Sequence, residues 1–421
     1  MEKLEIENFL SIDNACITLR KINIFIGPQA QGKSVIAKAI NFFKEIPYTL
    51  VEEITNGKTK REFTREVIEK FEKIFPREYW SGKSFTLKYS NNHYNVVVEN
   101  IYTEKKNKFS IIFSDEIDKA IKALRKQARR IEEIKSIEPS PVSKFKIYDE
   151  VVPALNSALF GSASSPKLEQ VIYIPAGRSF FANLQKNIFS FLTTNIKIDY
   201  FLTEFGSIYE RTKGSPFLNH LHKKSPPHVI KLIEQLICGR FSHEQGEDWI
   251  TGKRGKINVL NSSSGQQESL PMALMLTSWP YARYDETYRS FIIEEPEAHL
   301  FPSAQGVVVS LIANAYNSSD EHSSYSITTH SPYILTAINN LIQAGNVIRE
   351  TEKHLHDQVY DIIPKSEILD FKDISAYMIN DGLASSILDN EFNLIDANAI
   401  DEISNVFSSK FDKLVDLQLN D

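Results

Sequence analysis

Gly27-Pro28-Gln29-Ala30-Gln31-Gly32-Lys33-Ser34 follows the apolar run Ile22, Ile24, Phe25 and Ile26 and leads into Val35, Ile36, Ala37, Ala39 and Ile40. Strand, glycine-bounded loop and helix in that order make a phosphate-binding loop. The glycines let main-chain N–H groups close on an anion, and the helix start adds the positive end of its dipole. Lys33 is placed to reach β- and γ-phosphate oxygens, while Ser34 offers a hydroxyl to Mg²⁺. The ligand expected on residues 27–35, Val35 included, is a nucleoside triphosphate, with ATP and Mg²⁺ as cofactors. The same order requires a parallel sheet and an α/β fold.

A second stretch supplies acids. Phe291-Ile292-Ile293-Glu294-Glu295-Pro296-Glu297-Ala298-His299-Leu300 reads as a buried strand ending in paired carboxylates. We expect this strand directly beside the phosphate-loop strand, so that its end brings Glu294 to the metal and Glu295 to the attacking water.

Composition sets bounds. The formal charge of −6, from 48 basic and 54 acidic residues, gives no global nucleic-acid signature and leaves local basic patches open. Cys16 and Cys238 lack metal-ligand spacing and read as small core residues of a reduced compartment. No apolar run is long enough for a membrane span, and Met1-Glu2-Lys3-Leu4-Glu5 is unlike a signal peptide. A cytoplasmic protein with no membrane partner is expected.

Alternation at Leu4, Ile6 and Phe9, and again at Ala15, Ile17 and Leu19, predicts two strands before the phosphate-loop strand. Phe85–Tyr89 and Tyr94–Val98, joined through Asn91-Asn92, predict an antiparallel hairpin or side sheet. Between Asp115 and Lys135, Ile117, Ile121, Leu124, Ala128 and Ile131 step by three and four, an amphipathic helix whose basic positions fit either a solvated face or nucleic acid. Glu138-Pro139-Ser140-Pro141 and the small residues from Gly161 to Pro166 read as loops bracketing an insertion. Val171–Pro175 returns to a core strand, followed by Arg178, which fits a phosphate contact, a subunit contact or a loop salt bridge. Residues 180–245 read as mostly helical, then Gly252-Lys253-Arg254-Gly255 turns into a strand at 257–260.

Asn261-Ser262-Ser263-Ser264-Gly265-Gln266-Gln267 runs into the apolar stretch from Leu270 to Leu276, placing hydroxyls at a helix start, a second anion-binding element. Tyr325–Thr329 reads as a strand ending at His330.

With Leu4-Glu5-Ile6-Glu7-Asn8-Phe9 at the front, the order phosphate loop, Ser-Gly-Gln turn, acidic strand and strand-end histidine resembles the ABC-type ATPases, in particular their SMC/RecF-like and OLD-like branch. The resemblance implies an ABC-type P-loop ATPase head: a central mixed or parallel sheet, an antiparallel side sheet and helical insertions. It implies a homodimer or higher homo-oligomer in which Ser263, Ser264, Gly265 and Gln266 of one protomer meet the γ-phosphate held by Lys33 and Ser34 of the other. Glu295 would be the catalytic carboxylate and His330 the switch residue on the γ-phosphate. Glu294 stands where aspartate is more usual for metal binding, and the Q-loop glutamine of the family has no evident counterpart. Independently of the resemblance, a Ser-Gly-Gln helix start used in cis would have to fold over its own phosphate loop.

The expected division is 1–114 and 171–345 for the two parts of the ATPase core, 115–170 for a helical insertion and 346–421 for an accessory, partner-docking region. Asp381-Gly382, Asp389-Asn390-Glu391 and Asp401-Glu402 are scattered acids on what reads as a polar tail, without the strand-borne pair of a nuclease. This end resembles stand-alone ATPase subunits of bacterial anti-phage systems such as Septu, some retrons and PARIS, which implies a separately encoded effector, a nuclease for instance. A DNA-repair or chromosome-maintenance ATPase clamping DNA, and a nonhydrolysing nucleotide-gated scaffold, are the alternatives.

Overall fold

The computed structural model describes residues 2–104, 106–137, 153–159, 168–182, 198–213, 225–281, 287–396 and residue 409. The proline-containing loops expected at 138–141 and 161–166, and Asp401-Glu402, lie outside these residues.

Eleven strands form one sheet in the order β6-β5-β4-β1-β2-β14-β13-β3-β12-β11-β7. Its antiparallel half comprises β1 (Glu2–Phe9), β2 (Ile12–Leu19), β4 (Phe85–Ser90), β5 (Asn95–Thr103) and β6 (Lys106–Phe113). The hairpin expected near residues 85–98 is present, and it continues the main sheet through the antiparallel β1–β4 pairing. The other half runs parallel: β3 (Ile22–Ile26), β7 (Leu168–Ile174), β11 (Thr287–Glu294), β12 (Tyr325–Thr329) and β13 (Ile374–Asn380). Continuous apolar runs such as Ile22–Ile26 suit strands covered on both faces.

Two expectations are corrected here. The acidic strand β11 does not adjoin the phosphate-loop strand; β12 lies between them, paired with both. Residues 374–386 are not part of a polar tail, because β13 pairs with β3 at the centre of the sheet and β14 (Leu383–Ser386) closes the seam to β2. Asp381-Gly382 is the tight turn between them, with both residues at positive φ, and Gly382 O accepts from the N–H groups of Asp13 and Asn14.

Helices α1 (Lys33–Lys44), α2 (Ile46–Thr55), α3 (Lys60–Ile74) and α4 (Asp115–Ile137) share one core with both halves of the sheet: α1 lies against β7, β11 and β12 and α2 against β7, α3 and α4 pack on them, and Ile117, Ile121 and Leu124 join that core as their spacing predicts. On the parallel half, α5 (Tyr200–Lys213), α6 (Pro227–Leu236) and α7 (Ser264–Ser278) build a second core with α8 (Pro302–Ser318), while α9 (Pro332–Glu350) covers a third around Ile22, Ile24 and Ile374. A separate antiparallel meander, β8 (Arg240–Glu244), β9 (Glu247–Gly252) and β10 (Gly255–Asn258), replaces the end of the helix expected up to residue 245, and the strand expected at 257–260 is present two residues earlier as β10, ending where a 3-10 turn begins at Val259. Gln245 and Gly246, both at positive φ, make its first two-residue turn.

The α/β head expected from the motifs is thus the architecture found, a large mixed sheet with helices and, among the described residues, two smaller antiparallel sheets, the meander and a short pair formed by Leu388–Asp389 and Leu394–Ile395. Cys16 and Cys238 are exposed rather than core. Cys16 falls on the outward phase of β2 between buried Ala15 and Ile17, and Cys238 sits at φ 52° in the turn ending α6. Among the described residues no helix is long and apolar enough to cross a membrane.

Candidate functional site

Parallel strands end at one edge of a sheet, and that edge is where such sheets bind ligands. Ile26 pairs with Thr329, Thr328 with Glu294, and Ile293 with Ile174, so the residues following β3, β12, β11 and β7 emerge side by side. They are Gly27, His330, Glu295 and Pro175.

After β3 the chain turns through Gly27, Ala30 (φ 61°) and Gly32 (φ 98°). A Cβ on Gly27 would lie 2.0 Å from Ile379 O, and one on Gly32 2.5 Å from the Ile12 side chain, so both positions exclude a side chain. Pro28, Gln29 and Ala30 are exposed, and Gln31 accepts from Asp381 N–H at 2.7 Å, tying the loop to the β13–β14 turn. Gly32 caps α1 without a side-chain bond, and Ser34 is exposed on its first turn, with Val35 half-buried beyond it. The leading N–H groups of that turn therefore stand available to an anion.

Lys33 folds back over the loop. Its Nζ donates to Gly27 O at 2.8 Å and Pro28 O at 2.6 Å, and lies 3.2 Å from His330 Nδ1. Burial holds its pKa below the ordinary lysine value, against the opposing charges of Glu295 and Glu297. An ammonium has only donors, so Nδ1 accepts and the remaining proton of a neutral His330 is assigned to Nε2. Nε2 lies 3.1 Å from Glu295 Oε1, completing a relay Lys33–His330–Glu295.

The paired acids differ. Glu295, at φ 42°, turns out of the strand, its N–H bonded to Thr328 O. Glu294 points into the interior; Oε2 accepts from Ala176 N–H at 3.3 Å, whereas buried Oε1 has no hydrogen-bond partner. Glu297 Oε2 and Thr328 Oγ1, around the same strand ends, are also buried and unpartnered. Burial, then the Glu294 charge, pushes the Tyr173 hydroxyl well above its usual pKa. An unsatisfied buried carboxylate oxygen is costly, and a hard oxygen donor at this position fits Mg²⁺.

Sequence reading gave one residue here no role and left another open. Glu297 Oε1 accepts from Thr329 Oγ1 at 2.8 Å and from His330 N–H at 2.7 Å, fixing the turn that carries the histidine. Arg178, fully buried, resolves its three alternatives as an internal clamp. Its guanidinium donates to Pro175 O, Glu294 O, Glu295 O and Glu268 O at 2.7–3.1 Å, and Glu268 Oε2 accepts its main-chain N–H at 2.8 Å. Burial lowers its pKa, opposed by Glu268, Glu294, Glu297 and Glu295 in that order. The only warning in the sequence is an arginine just past a core strand. No glutamine stands at the end of β7, where Pro175-Ala176-Gly177-Arg178 abuts the acidic turn.

Ser263 caps α7 as expected. Its Oγ accepts from Gln266 N–H at 3.3 Å, and Gln266 Oε1 accepts from Ser263 N–H at 3.1 Å, a reciprocal capping box. Gln266 Nε2 donates to Ile237 O at 2.6 Å. Gly265 is needed for contact, since a Cβ there would lie 2.9 Å from His299 O in the turn after β11. Ser264 opens the helix, and Ser263 remains solvent-exposed.

A phosphate loop, paired strand-end acids and a strand-end histidine converging at the carboxyl edge of one sheet define a P-loop ATPase. The chain belongs to the AAA ATPase domain family, which it matches over residues 1–335. No curated protein matches it. Solved structures similar to it include the SmcHead bound to the C-winged helix domain of ScpA (14% identity, TM-score 0.40, covering 91% of this chain and 96% of that one). The SMC head domain from Thermotoga maritima follows at 12% and 0.37, covering 91% and 97%, and the recombination mediator RecF at 14% and 0.32, also covering 91% and 97%. At such TM-scores nothing mechanistic follows from them.

Proposed function

We infer that this chain is an ATP-hydrolysing switch whose two copies enclose ATP head to tail, each lending Ser263, Ser264, Gly265 and Gln266 to the triphosphate on the other's Lys33. The supporting observation is the exposed serine cap: the Ser263 side chain bonds to Gln266 of its own capping box, and Gly265 directly and Glu268 through Arg178 tie that helix start to the acidic turn. A γ-phosphate arriving from a partner would couple to this chain's own Glu295 through those contacts.

Ser34 and Glu294 would hold Mg²⁺, which when bound neutralises charge on the transferring phosphate. Lys33 exchanges its bonds to Gly27 O and Pro28 O for phosphate oxygens. Glu295 orients the attacking water and takes its proton, while His330 holds Glu295 through Nε2–H and accepts from Lys33 Nζ through Nδ1, linking the base to the lysine that meets the γ-phosphate. Loss of the bridging phosphate then weakens the dimer, making hydrolysis a timed release.

In this reading the protein is the ATPase subunit of a bacterial anti-phage defence complex, without nuclease chemistry of its own, controlling a separately encoded effector in the cytoplasm. Support comes from the order of the motifs and from the structural uses of two acids once weighed for metal: Asp381 forms a turn, and Asp389 caps the N–H groups of Glu391 and Phe392. The region 346–421 keeps its partner-docking role only outside the strands that enter the sheet. DNA clamping in chromosome maintenance is the second reading, favoured by exposed cations taken up below. The test is nucleotide titration of Lys33→Ala by calorimetry: affinity falls roughly 100-fold, as for loss of a buried charge-assisted contact of about 3 kcal/mol. Wild-type affinity in that variant would refute the site.

A further inference from the structure

The β8–β10 meander and the end of α6 enclose an open groove of about 970 Å³ whose wall includes Gln266 of the capping box. Arg240, Lys253, Arg254 and Lys256 line it, against a single acid, Glu234. Arg240 and Lys256 both pair with Thr251, so they stand abreast on the outer strands, roughly 10 Å apart across two strand spacings. Lys253 and Arg254 occupy the β9–β10 turn beyond them, and all four cations are exposed. Glu244 pairs with Lys256, whose ammonium also lies 4.9 Å over the Trp249 ring. Arg240, Lys253 and Arg254 have no ion pair among the described residues.

In a chain of net charge −6 this concentration is local, not a by-product of composition. The cations are strung along the groove instead of converging on one point, which suits a repeating anion better than a single phosphate. A protein partner would need aromatic or aliphatic anchors to fill; the groove offers only buried Ile250 and the partly exposed Ile257 as large apolar side chains. Duplex DNA presents one charge per ~1.7 Å of axis and is bound largely through such cations. We propose that the β8–β10 groove is a docking surface for a nucleic-acid phosphate backbone, set against the wall of the signature helix α7. Its cations touch none of the phosphate-loop residues, so it stands or falls apart from the ATPase reading.

The test is fluorescence anisotropy of the full chain with a labelled 30-base-pair duplex, without nucleotide, across a salt series. The expected result for Arg240→Ala/Lys253→Ala/Arg254→Ala is at least tenfold weaker binding and a log–log salt slope reduced by about 2–3, as for loss of three phosphate contacts. ATP affinity stays at the wild-type value, which shows the variant folded. Lys119→Ala/Lys122→Ala/Lys126→Ala, on the exposed face of α4, serves as the comparison and leaves binding intact. Absence of wild-type duplex binding, loss only in the α4 variant, or equal competition by polyglutamate would each overturn the proposal.

Discussion

The phosphate cradle and the signature helix start are both anion sites, yet they are built in opposite ways. In the cradle, Lys33, His330 and Glu295 already form a relay within one chain, and the buried oxygens of Glu294 and Glu297 wait unpartnered. At the start of α7, Ser263 and Gln266 bond reciprocally, with Ser263 facing solvent and half-buried Gln266 also donating to Ile237 O. One region keeps buried acceptors without a partner in the chain; the other closes its capping groups on each other at the helix start. Arg178 joins them, binding the main chain of the acidic turn on one side and Glu268 of α7 on the other.

The sharpest break of that contrast is Glu295→Gln. It removes the proton acceptor while keeping the reach to His330, so turnover drops by roughly 10²–10⁴ and ATP-bound dimers accumulate on size exclusion. Unchanged hydrolysis would move the chemistry elsewhere. Arg178→Ala leaves Glu268 buried and four carbonyls without their donor, costing about 3–5 kcal/mol. Chemical denaturation should show that loss, and one of the same order for Glu268→Gln, because Oε2 accepts from Arg178 N–H and Oε1 from Ser179 N–H, so the new amide nitrogen faces a donor and Arg178 loses its buried counter-charge. Ser263→Ala breaks the capping box at a cost of about 1 kcal/mol; ATP affinity of the monomer is retained while turnover falls.

The smallest effect concerns pH. Because burial lowers the Lys33 pKa below 10.5, the unfolded chain carries more protons there than the folded one between those two values. Stability from this group therefore rises as pH climbs through that window. ATP needs the charged lysine, so binding in the same window takes up a proton and weakens with pH, readable by calorimetry in buffers of different ionisation enthalpy. Lys33→Arg, charged throughout, should lose that proton linkage.

What could be read from the sequence was local. The phosphate loop, the acidic pair, the serine cap and the histidine each announce themselves within about ten residues, because a loop, a strand end or a helix start is a short-range object. Strand adjacency is not: nothing in the sequences of β3, β11 and β12 says that β12 lies between the others. Residues 374–380 were read as tail since their place beside β3 is decided some 350 positions away. The Asp381-Gly382 turn is legible as a hairpin signal but reads first as a scattered acid, whereas Gln245-Gly246 carries no such signal and falls inside an expected helix. Arg178 and Glu297 act through backbone atoms of distant segments, which no local pattern encodes.

The central claim is that the serine cap serves the partner's nucleotide. Lys33→Ala and Ser263→Arg are each inactive alone under that claim, but mixing them creates heterodimers with one intact composite site. Random pairing makes half the dimers mixed, each with one of two sites, so an equimolar mixture should recover up to about a quarter of wild-type ATP turnover. Turnover that stays at the level of the separate variants, in mixtures shown to form heterodimers, would contradict the account.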